Sequence, residues 1–210
     1  VLIISGMGLS RARDACCTLL EISSPDLLVS FGIAGAVKDD LNIGDVIVAG
    51  NTCLLDKGLP GRMSPLASMS RVAWDATAQS LLPEGIRLIS GTAITTHGSQ
   101  VVTGEWFEED NPILEMETAG ISQVADEMKI PLLSIRSISD GPRSPIPFNL
   151  EAVLDDNDNI QIRRLLLLVM RNPRIIFHSR QLLQNSGKAA DHAARGVIAL
   201  LRQPSPLVSS

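Results

Sequence analysis

Aromatic side chains, cysteines and long apolar runs are all scarce in this 210-residue chain. Aromatic residues make up 3% of it against 45% hydrophobic residues, which is typical of the aliphatic interior of a strand-rich α/β protein. The apolar run from Leu165 to Met170 is far too short to span a membrane. The three cysteines include the adjacent Cys16 and Cys17, which are poorly placed to bridge each other, so we expect a reducing, cytoplasmic environment.

The sequence also lacks the familiar metal-binding motifs and a complete dinucleotide-binding motif. His178 and His192 are isolated in the tail, and no Cys/His spacing suggests a metal site. The acidic run at 155–159 lacks the glycine and the distal glutamate of a calcium loop. The glycine pair at 6 and 8 is not continued into a dinucleotide fingerprint, because Arg11 stands where the third glycine would be. We expect no metal and no cofactor, and no nucleic-acid partner.

What the sequence does contain is an alternation of apolar β-branched runs with helical patterns. This alternation predicts an α/β fold with a mixed, largely parallel central sheet flanked by helices. We expect a single domain over residues 1–210, with a helical extension at its carboxyl end over 150–203. A helix is expected at Ser10–Glu21, and strands are expected at 1–4, 26–31, 45–49 and 86–95.

Two acidic segments stand where apolar strands end. They are Glu-Met-Glu-Thr-Ala-Gly at 115–120 and Ser-Ile-Ser-Asp at 137–140. Because ligands of open α/β sheets bind at the carboxyl ends of the strands, we predict that these two segments build one site. Taken singly, Glu117 could instead cap the helix that follows it, and Asp140 could begin a turn.

The two segments resemble the paired signatures of the nucleoside phosphorylase and nucleosidase superfamily, which cleaves the N-glycosidic bond of nucleosides. Its members include purine and uridine phosphorylases and methylthioadenosine/S-adenosylhomocysteine nucleosidases. Two glycine segments follow the order of that family, Ser-Gly-Met-Gly at 5–8 and Ser-Phe-Gly-Ile-Ala-Gly-Ala at 30–36, the latter followed by Leu-Asn-Ile-Gly-Asp at 41–45. The resemblance covers roughly residues 1–150, and four ordered motifs are more specific than any one of them.

The resemblance implies a small-molecule nucleoside as ligand and a role for each matched residue. Breaking a ribosyl C–N bond develops positive charge on the sugar and negative charge on the base, so the enzyme must hold the sugar and protonate the base. Glu117 would accept hydrogen bonds from the ribose 2′ and 3′ hydroxyls, with Met116 packed against the sugar. Asp140, its pKa raised in a semi-buried site, would protonate purine N7 and be oriented by Ser139. The other substrate-binding positions are Glu115, Gly8, Gly32, Ile33, Ala34, Gly35, Phe148 and His97.

Several of these positions keep a second interpretation. Phe148 either covers the base or is a core or lid phenylalanine, and His97 either touches the ligand or is a polar loop histidine. The turn at 5–8 gives backbone space to a ribose or an anion, or is only a tight turn.

Ser30 and Ile33 bear on whether water or phosphate attacks the sugar. Phosphorylases that resemble this chain place an arginine and a serine at these two positions to bind phosphate. Losing a cation and a hydroxyl donor should weaken phosphate binding, which favours hydrolysis unless Arg11 or Arg13 compensates. Ile33 also departs from the serine of the nucleosidases.

Two features of the family have no counterpart in the sequence. The chain opens directly on a predicted core strand, where family members carry earlier strands, so we expect that the amino-terminal part of the fold is missing. The early glutamate that helps activate water in nucleosidases has no counterpart either. The connection from Val102 to Asn111 is short, through either a true deletion or missing residues. A catalytically inactive nucleoside-binding module is therefore a further alternative.

The stretch 160–190 combines basic and apolar residues. It carries six positive charges and no negative one in a chain of net charge −5, so the remainder carries −11. Such a segment could lie on an anionic membrane surface, or its helices could pack on the core or on a partner subunit. The layout resembles hopanoid-associated members, which are implicated in releasing adenine from adenosylhopane. This resemblance implies adenosylhopane as substrate and a location peripheral to the inner membrane. The alternative is a soluble nucleoside such as methylthioadenosine, and related nucleosidases imply a homodimer or a higher homo-oligomer.

Overall fold

The computed structural model of the chain describes residues 1–56, 59–60, 64–65, 79–96, 109–143 and 174–202. Within these residues the helices are α1 (Leu9–Ile22), α2 (Thr118–Met128) and α3 (Arg174–Leu201). The strands are β1 (Leu28–Ala36), β2 (Val46–Asp56), β3 (Leu59–Pro60), β4 (Ser64–Pro65), β5 (Leu88–Thr96), β6 (Pro112–Glu115) and β7 (Leu132–Asp140).

Five of the strands close into a ring in the order β2, β5, β6, β1, β7 and back to β2. The β1–β7, β2–β5 and β5–β6 pairs are parallel, whereas β1–β6 and β2–β7 are antiparallel. The short β3 and β4 both pair with β2. The predicted α/β fold with a mixed sheet is confirmed, but the sheet closes on itself and is less parallel than predicted.

No strand forms at Val1–Ile4, contrary to the prediction. These residues pair with no strand in the described part of the chain, and the side chains of Val1 and Ile4 are 90% and 91% exposed. An apolar run becomes a strand only where it finds a partner strand for its backbone hydrogen bonds, and an apolar pattern does not supply that partner. The helix predicted at Ser10–Glu21 lies within α1, and the other predicted strands overlap β1, β2 and β5.

Strand β7 is buried along nearly its whole length and carries both apolar and polar side chains. Residues 132–139 are all buried, because β7 pairs with both β1 and β2 and is covered by α3. Leu133, Ile135 and Ile138 belong to the hydrophobic core. Ser134 and Arg136, two residues apart and therefore on one face of the strand, make polar contacts with α2 and its preceding residues instead.

Helix α3 packs closely on the ring through small residues. A Cβ added at Gly196 would lie 2.8 Å from Cγ1 of the buried Val46, whereas one added at Gly187 would meet nothing within 4 Å. We expect Gly196→Ala to lower the free energy of unfolding by about 1–3 kcal/mol, because the packed strand cannot give way. Gly187→Ala in the same helix should raise it by up to about 1 kcal/mol through helix propensity. Urea denaturation of the two variants measures the contrast, and equal effects would contradict this packing.

Candidate active site

A buried ion pair lies beneath the predicted site. Glu115 ends β6 and Arg136 stands in the middle of β7, with 3.0 Å between Oε2 and the guanidinium and side chains only 1% and 3% exposed. Arg136 also donates to the hydroxyls of Ser30 at 3.0 Å and Thr118 at 3.1 Å. Removing one partner of a buried ion pair costs about 3–5 kcal/mol, so this pair holds β1, β6, β7 and α2 in a fixed arrangement.

Glu115 also caps helix α2. Its Oε2 accepts hydrogen bonds from the backbone N–H groups of Thr118 at 2.7 Å and Glu117 at 2.9 Å, and its Oε1 accepts one from the Thr95 hydroxyl. Burial alone would raise the pKa of Glu115, but the Arg136 guanidinium and these donors hold it below its ordinary value. Glu115 is therefore a buried, ionised group whose two oxygens are already engaged by Arg136, Thr95 and backbone donors.

Glu117 stands above this pair and does not cap α2 with its side chain. Instead, its Oε1 accepts a hydrogen bond from the backbone N–H of Gly8 at 3.0 Å, and its Oε2 accepts one from Met116 at 3.3 Å. Gly8 has φ 102°, a conformation that favours glycine, and the turn that it forms before α1 brings its N–H to Glu117. Burial and the neighbouring Glu115 raise the pKa of Glu117, while Arg136, 3.9 Å away, opposes the increase.

Asp140 closes β7. The Ser139 hydroxyl donates a hydrogen bond to its Oδ1 at 2.6 Å. A Cβ added at Gly35 would lie 2.8 Å from Oδ2, so a glycine is needed where β1 passes the carboxyl group. Burial raises the pKa of Asp140, and the Ser139 hydrogen bond opposes this only in part. A carboxyl group with a raised pKa keeps its proton to higher pH, which is what a general acid requires.

The strand register separates the two acidic groups. Gly32 pairs with Arg136, beneath Glu117, and Gly35 pairs with Asp140. Along the backbone of β7, Arg136 and Asp140 are about 13 Å apart at the usual rise of about 3.3 Å per residue, and a register shift between Ala34 and Gly35 leaves only three residues of β1 over this interval. The segment Gly32–Gly35 of β1 runs between them, and within it the side chain of Ile33 is 39% exposed.

Most of the residues predicted for the site are brought together. Gly8, Glu115, Met116 and Glu117 lie at one end, and Gly32, Ile33, Ala34, Gly35, Ser139 and Asp140 lie along the parallel pair β1–β7. His97 and Phe148 lie outside the described residues, so their roles stay predictions. The described residues contain no group of three or more His, Cys, Asp and Glu side chains that could hold a metal ion.

Arg136 is the residue that the sequence analysis missed. It lies in the buried segment 132–139 of β7, next to Ile135, and its side chain is buried. Because arginines are almost never fully buried unless they are paired, a single arginine inside a predicted strand indicates a buried carboxylate partner. The arginine in this strand could therefore have indicated that one of the two glutamates, Glu115, is its ion-pair partner and that Glu117 is the one available to a ligand.

Comparison with known proteins gives one family. The curated 5′-methylthioadenosine/S-adenosylhomocysteine nucleosidase of Buchnera aphidicola is 26% identical over 186 residues, which cover 81% of this chain and 79% of that protein. The solved structure of the Neisseria meningitidis nucleosidase of the same name, in complex with methylthio-immucillin-A, has a TM-score of 0.62 at 19% identity and covers 95% of this chain and 79% of its own. Futalosine hydrolase of Helicobacter pylori has a TM-score of 0.59 at 16% identity, with 94% and 76% covered.

The two structural likenesses show a shared fold. The family itself is shown by the match to the phosphorylase superfamily, which spans residues 1–169 and so includes both acidic segments and both glycine segments. The chain therefore belongs to the phosphorylase superfamily.

Proposed function

We propose that this protein cleaves the N-glycosidic bond of a purine nucleoside and releases the base. The observation that carries the proposal is the placement of Glu117 and Asp140 on either side of the Gly32–Gly35 segment, each a largely buried carboxyl group with a raised pKa. Family membership and relatives that are named nucleosidases support this choice of reaction.

In this proposal the two carboxyl groups act on different parts of the nucleoside, Asp140 on the base and Glu117 on the sugar. Asp140, protonated, donates its proton to N7 of the purine as the C–N bond breaks and the bonding electron pair passes to the base. Glu117, ionised, accepts hydrogen bonds from the ribose 2′ and 3′ hydroxyls and stabilises the positive charge that develops on the sugar. A water molecule then adds to the sugar carbon and loses a proton to the solvent, Asp140 takes up a proton again, and the free sugar, with any 5′ substituent retained, is the second product. Met116 packs beside the sugar in this arrangement.

Water is the better nucleophile for this site than phosphate. Ser30 is buried, and its hydroxyl accepts a hydrogen bond from Arg136. Arg136 is itself neutralised by Glu115, so its charge is not available to an anion bound over β1. Ile33 offers no hydroxyl. Tight phosphate binding needs charge-assisted donors, and β1 provides none at the two positions where phosphorylases resembling this chain carry them.

Assay of base release separates the alternatives. We expect the full-length protein to release adenine from adenosine-type nucleosides in phosphate-free buffer, with ribose as the second product and no acceleration by phosphate. Formation of ribose 1-phosphate would instead identify a phosphorylase. Nucleoside binding without any base release would identify a binding module and contradict the proposed activity.

A lipid-linked nucleoside such as adenosylhopane is the narrower form of the proposal. It rests on the basic and apolar stretch 160–190. In the described part of that stretch, Arg180 and Leu183 are exposed neighbours on one helix face, and Leu183 is 72% exposed. In the described part of the chain, no helix is long and apolar enough to cross a membrane. A peripheral location at the inner membrane, like assembly into a homo-oligomer, stays a prediction.

Sedimentation with vesicles tests the lipid-linked form. If 160–190 docks on lipid, neutralising Arg163, Arg164, Arg171 and Arg174 should weaken binding to anionic vesicles by about 1 kcal/mol for each charge, and added salt should have the same effect. Hydrolysis of a water-soluble nucleoside should survive these changes. Absence of binding by the unmodified protein at low salt would contradict the lipid-linked form and leave soluble nucleosides such as methylthioadenosine.

A further inference from the structure

A cavity of about 120 Å³ lies beyond Asp140, at the carboxyl ends of the parallel strands β1 and β7. The loop that follows β1, the end of β7 and the loop that follows β7 line it, and it is open to solvent on one side. Its lining consists of Lys38, Leu41, Asn42, Ile43, Ile138, Asp140, Gly141, Pro142 and Arg143.

The cavity carries two cations whose described partners are uncharged. Lys38 Nζ donates to the backbone oxygen of Glu109 at 2.7 Å. The guanidinium of Arg143 donates to the backbone oxygen of Leu41 at 3.1 Å and to Oδ1 of Asn42 at 3.0 Å, which fixes its position. In the described ranges of the chain, neither cation forms an ion pair with a carboxylate.

The residues that line the cavity carry more positive than negative charge. Asp45, close by in sequence, is paired with Arg87. Asp140 is the carboxyl group among the lining residues, and its pKa is raised by burial, so its neutral form persists to higher pH than usual. The lining therefore sets two cations, Lys38 and Arg143, against the single carboxyl group of Asp140, and a bound anion would compensate the excess positive charge.

The register of β1 and β7 fixes the direction in which the cavity lies. Arg136, beneath Glu117, is at the level of Gly32, and Asp140 is at the level of Gly35. Lys38 and Arg143 each come three residues further along the chain than Gly35 and Asp140. A nucleoside with its ribose at Glu117 and its base at Asp140 would consequently turn the edge of the base that is distant from the sugar toward the cavity.

We propose that this cavity is a subsite for an acidic substituent, a carboxylate or a phosphate, on the edge of the nucleobase that is distant from the sugar. Lys38 and Arg143 bind the anionic oxygens by charge-assisted hydrogen bonds, with Arg143 presenting the planar fork that suits such groups. The orientation of the substituent rests on the proposed function, because it requires the base to lie at Asp140. A free anion shares this chemistry, and the experiment distinguishes it.

The test compares two matched nucleosides, N6-carboxymethyladenosine and its neutral amide, N6-carbamoylmethyladenosine. We expect the full-length protein to favour the acid by about tenfold or more, both in kcat/KM and in the dissociation constant. With Lys38→Gln and Arg143→Gln combined, the ratio should fall to about one. Lys38→Arg and Arg143→Lys retain the charges and should retain a preference, which separates loss of charge from loss of fold. Lys129→Gln combined with Arg202→Gln removes two exposed charges elsewhere and should leave the ratio unchanged.

The binding and hydrolysis results test the subsite and the proposed reaction separately. Equal dissociation constants for acid and amide in the unmodified protein overturn the subsite, whether or not the nucleosides are hydrolysed. Preferential binding of the acid without base release supports the subsite and defeats the proposed reaction. Inorganic phosphate should compete with the acid and not with the amide. Thermal protection by phosphate together with an acid-to-amide ratio of one would identify a free-anion site and overturn the substituent assignment.

Discussion

Replacing Asp140 by asparagine is expected to lower kcat by about 10²- to 10⁴-fold, with a much smaller change in nucleoside affinity. The neutral amide preserves the shape of the side chain but has no proton of suitable acidity for N7. Steady-state kinetics with a purine nucleoside measure the loss. Asp126→Asn, on the exposed side of α2, is the matched control and should leave kcat unchanged. Turnover of the Asp140 variant close to that of the unmodified protein would remove Asp140 from the mechanism.

The pH dependence of kcat provides a second test of Asp140 as the general acid. Asp140 acts in its protonated form, so the rate should fall as the pH rises through its pKa. Since burial raises this pKa, the alkaline limb of the kcat profile should lie above the ordinary range of aspartic acid. The Asn variant should lose the part of the alkaline limb that belongs to Asp140. An alkaline limb that is identical in the variant would assign it to another group.

The pH dependence of the free energy of unfolding tests the raised pKa of Asp140 without an activity assay. A carboxyl group that binds its proton more tightly in the folded state contributes stability at low pH, and this contribution is lost as the pH rises through the folded-state pKa. Asp140→Asn removes that loss. The variant should therefore be more stable than the unmodified protein at about pH 7, and the difference should disappear near pH 3, below the ordinary pKa of aspartic acid.

Replacing Glu117 by glutamine is the second large effect. Hydrogen bonds to a charged group contribute about 1.5–3 kcal/mol, so losing the carboxylate should lower kcat/KM for ribosides by about 10- to 150-fold. The carboxamide also brings an N–H group toward the donating N–H groups of Gly8 and Met116. Because Glu117 is proposed to read the sugar hydroxyls, the preference for ribosides over 2′-deoxyribosides should shrink at the same time.

The control for Glu117 is Glu127→Gln at an exposed position of the same helix. It should leave both kcat/KM and sugar selectivity unchanged. Glu117 acts in its ionised form, and burial and Glu115 raise its pKa, so the acidic limb of the profile should lie above the ordinary range of glutamic acid and vanish in the Gln variant. If sugar selectivity in the Gln variant equals that of the unmodified protein, the role of Glu117 is structural.

The strand ends that carry the site were predictable from sequence because their signals are local. Glu115 and Asp140 each follow an apolar run, and an acidic residue at the end of such a run indicates the edge of a sheet. The contact between Gly8 and Glu117 was not predictable by local reasoning, because 109 residues separate them and they meet where α1 packs on α2. The family resemblance assigned both residues to the ligand site but predicted no contact between them.

Glu115 and Glu117 differ in how deeply they are buried and in their charged partners, and a local sequence motif does not determine either property. Both are glutamates at the end of one strand, yet one is ionised beneath the site by Arg136 and the other faces it with a raised pKa. Strand formation at Val1–Ile4 failed for a related reason. Its apolar residues satisfy the local pattern, but a strand requires a partner strand, and an apolar pattern does not supply that partner.

The most direct test of the central claim is a crystal structure with a bound, non-hydrolysable purine nucleoside analogue. The account predicts one ligand that bridges the two groups, with both ribose hydroxyls within about 3.2 Å of the Glu117 carboxylate and purine N7 within the same distance of Asp140. An analogue bound with its sugar away from Glu117, or with its base away from Asp140, would contradict the claim that these two residues act on the same nucleoside.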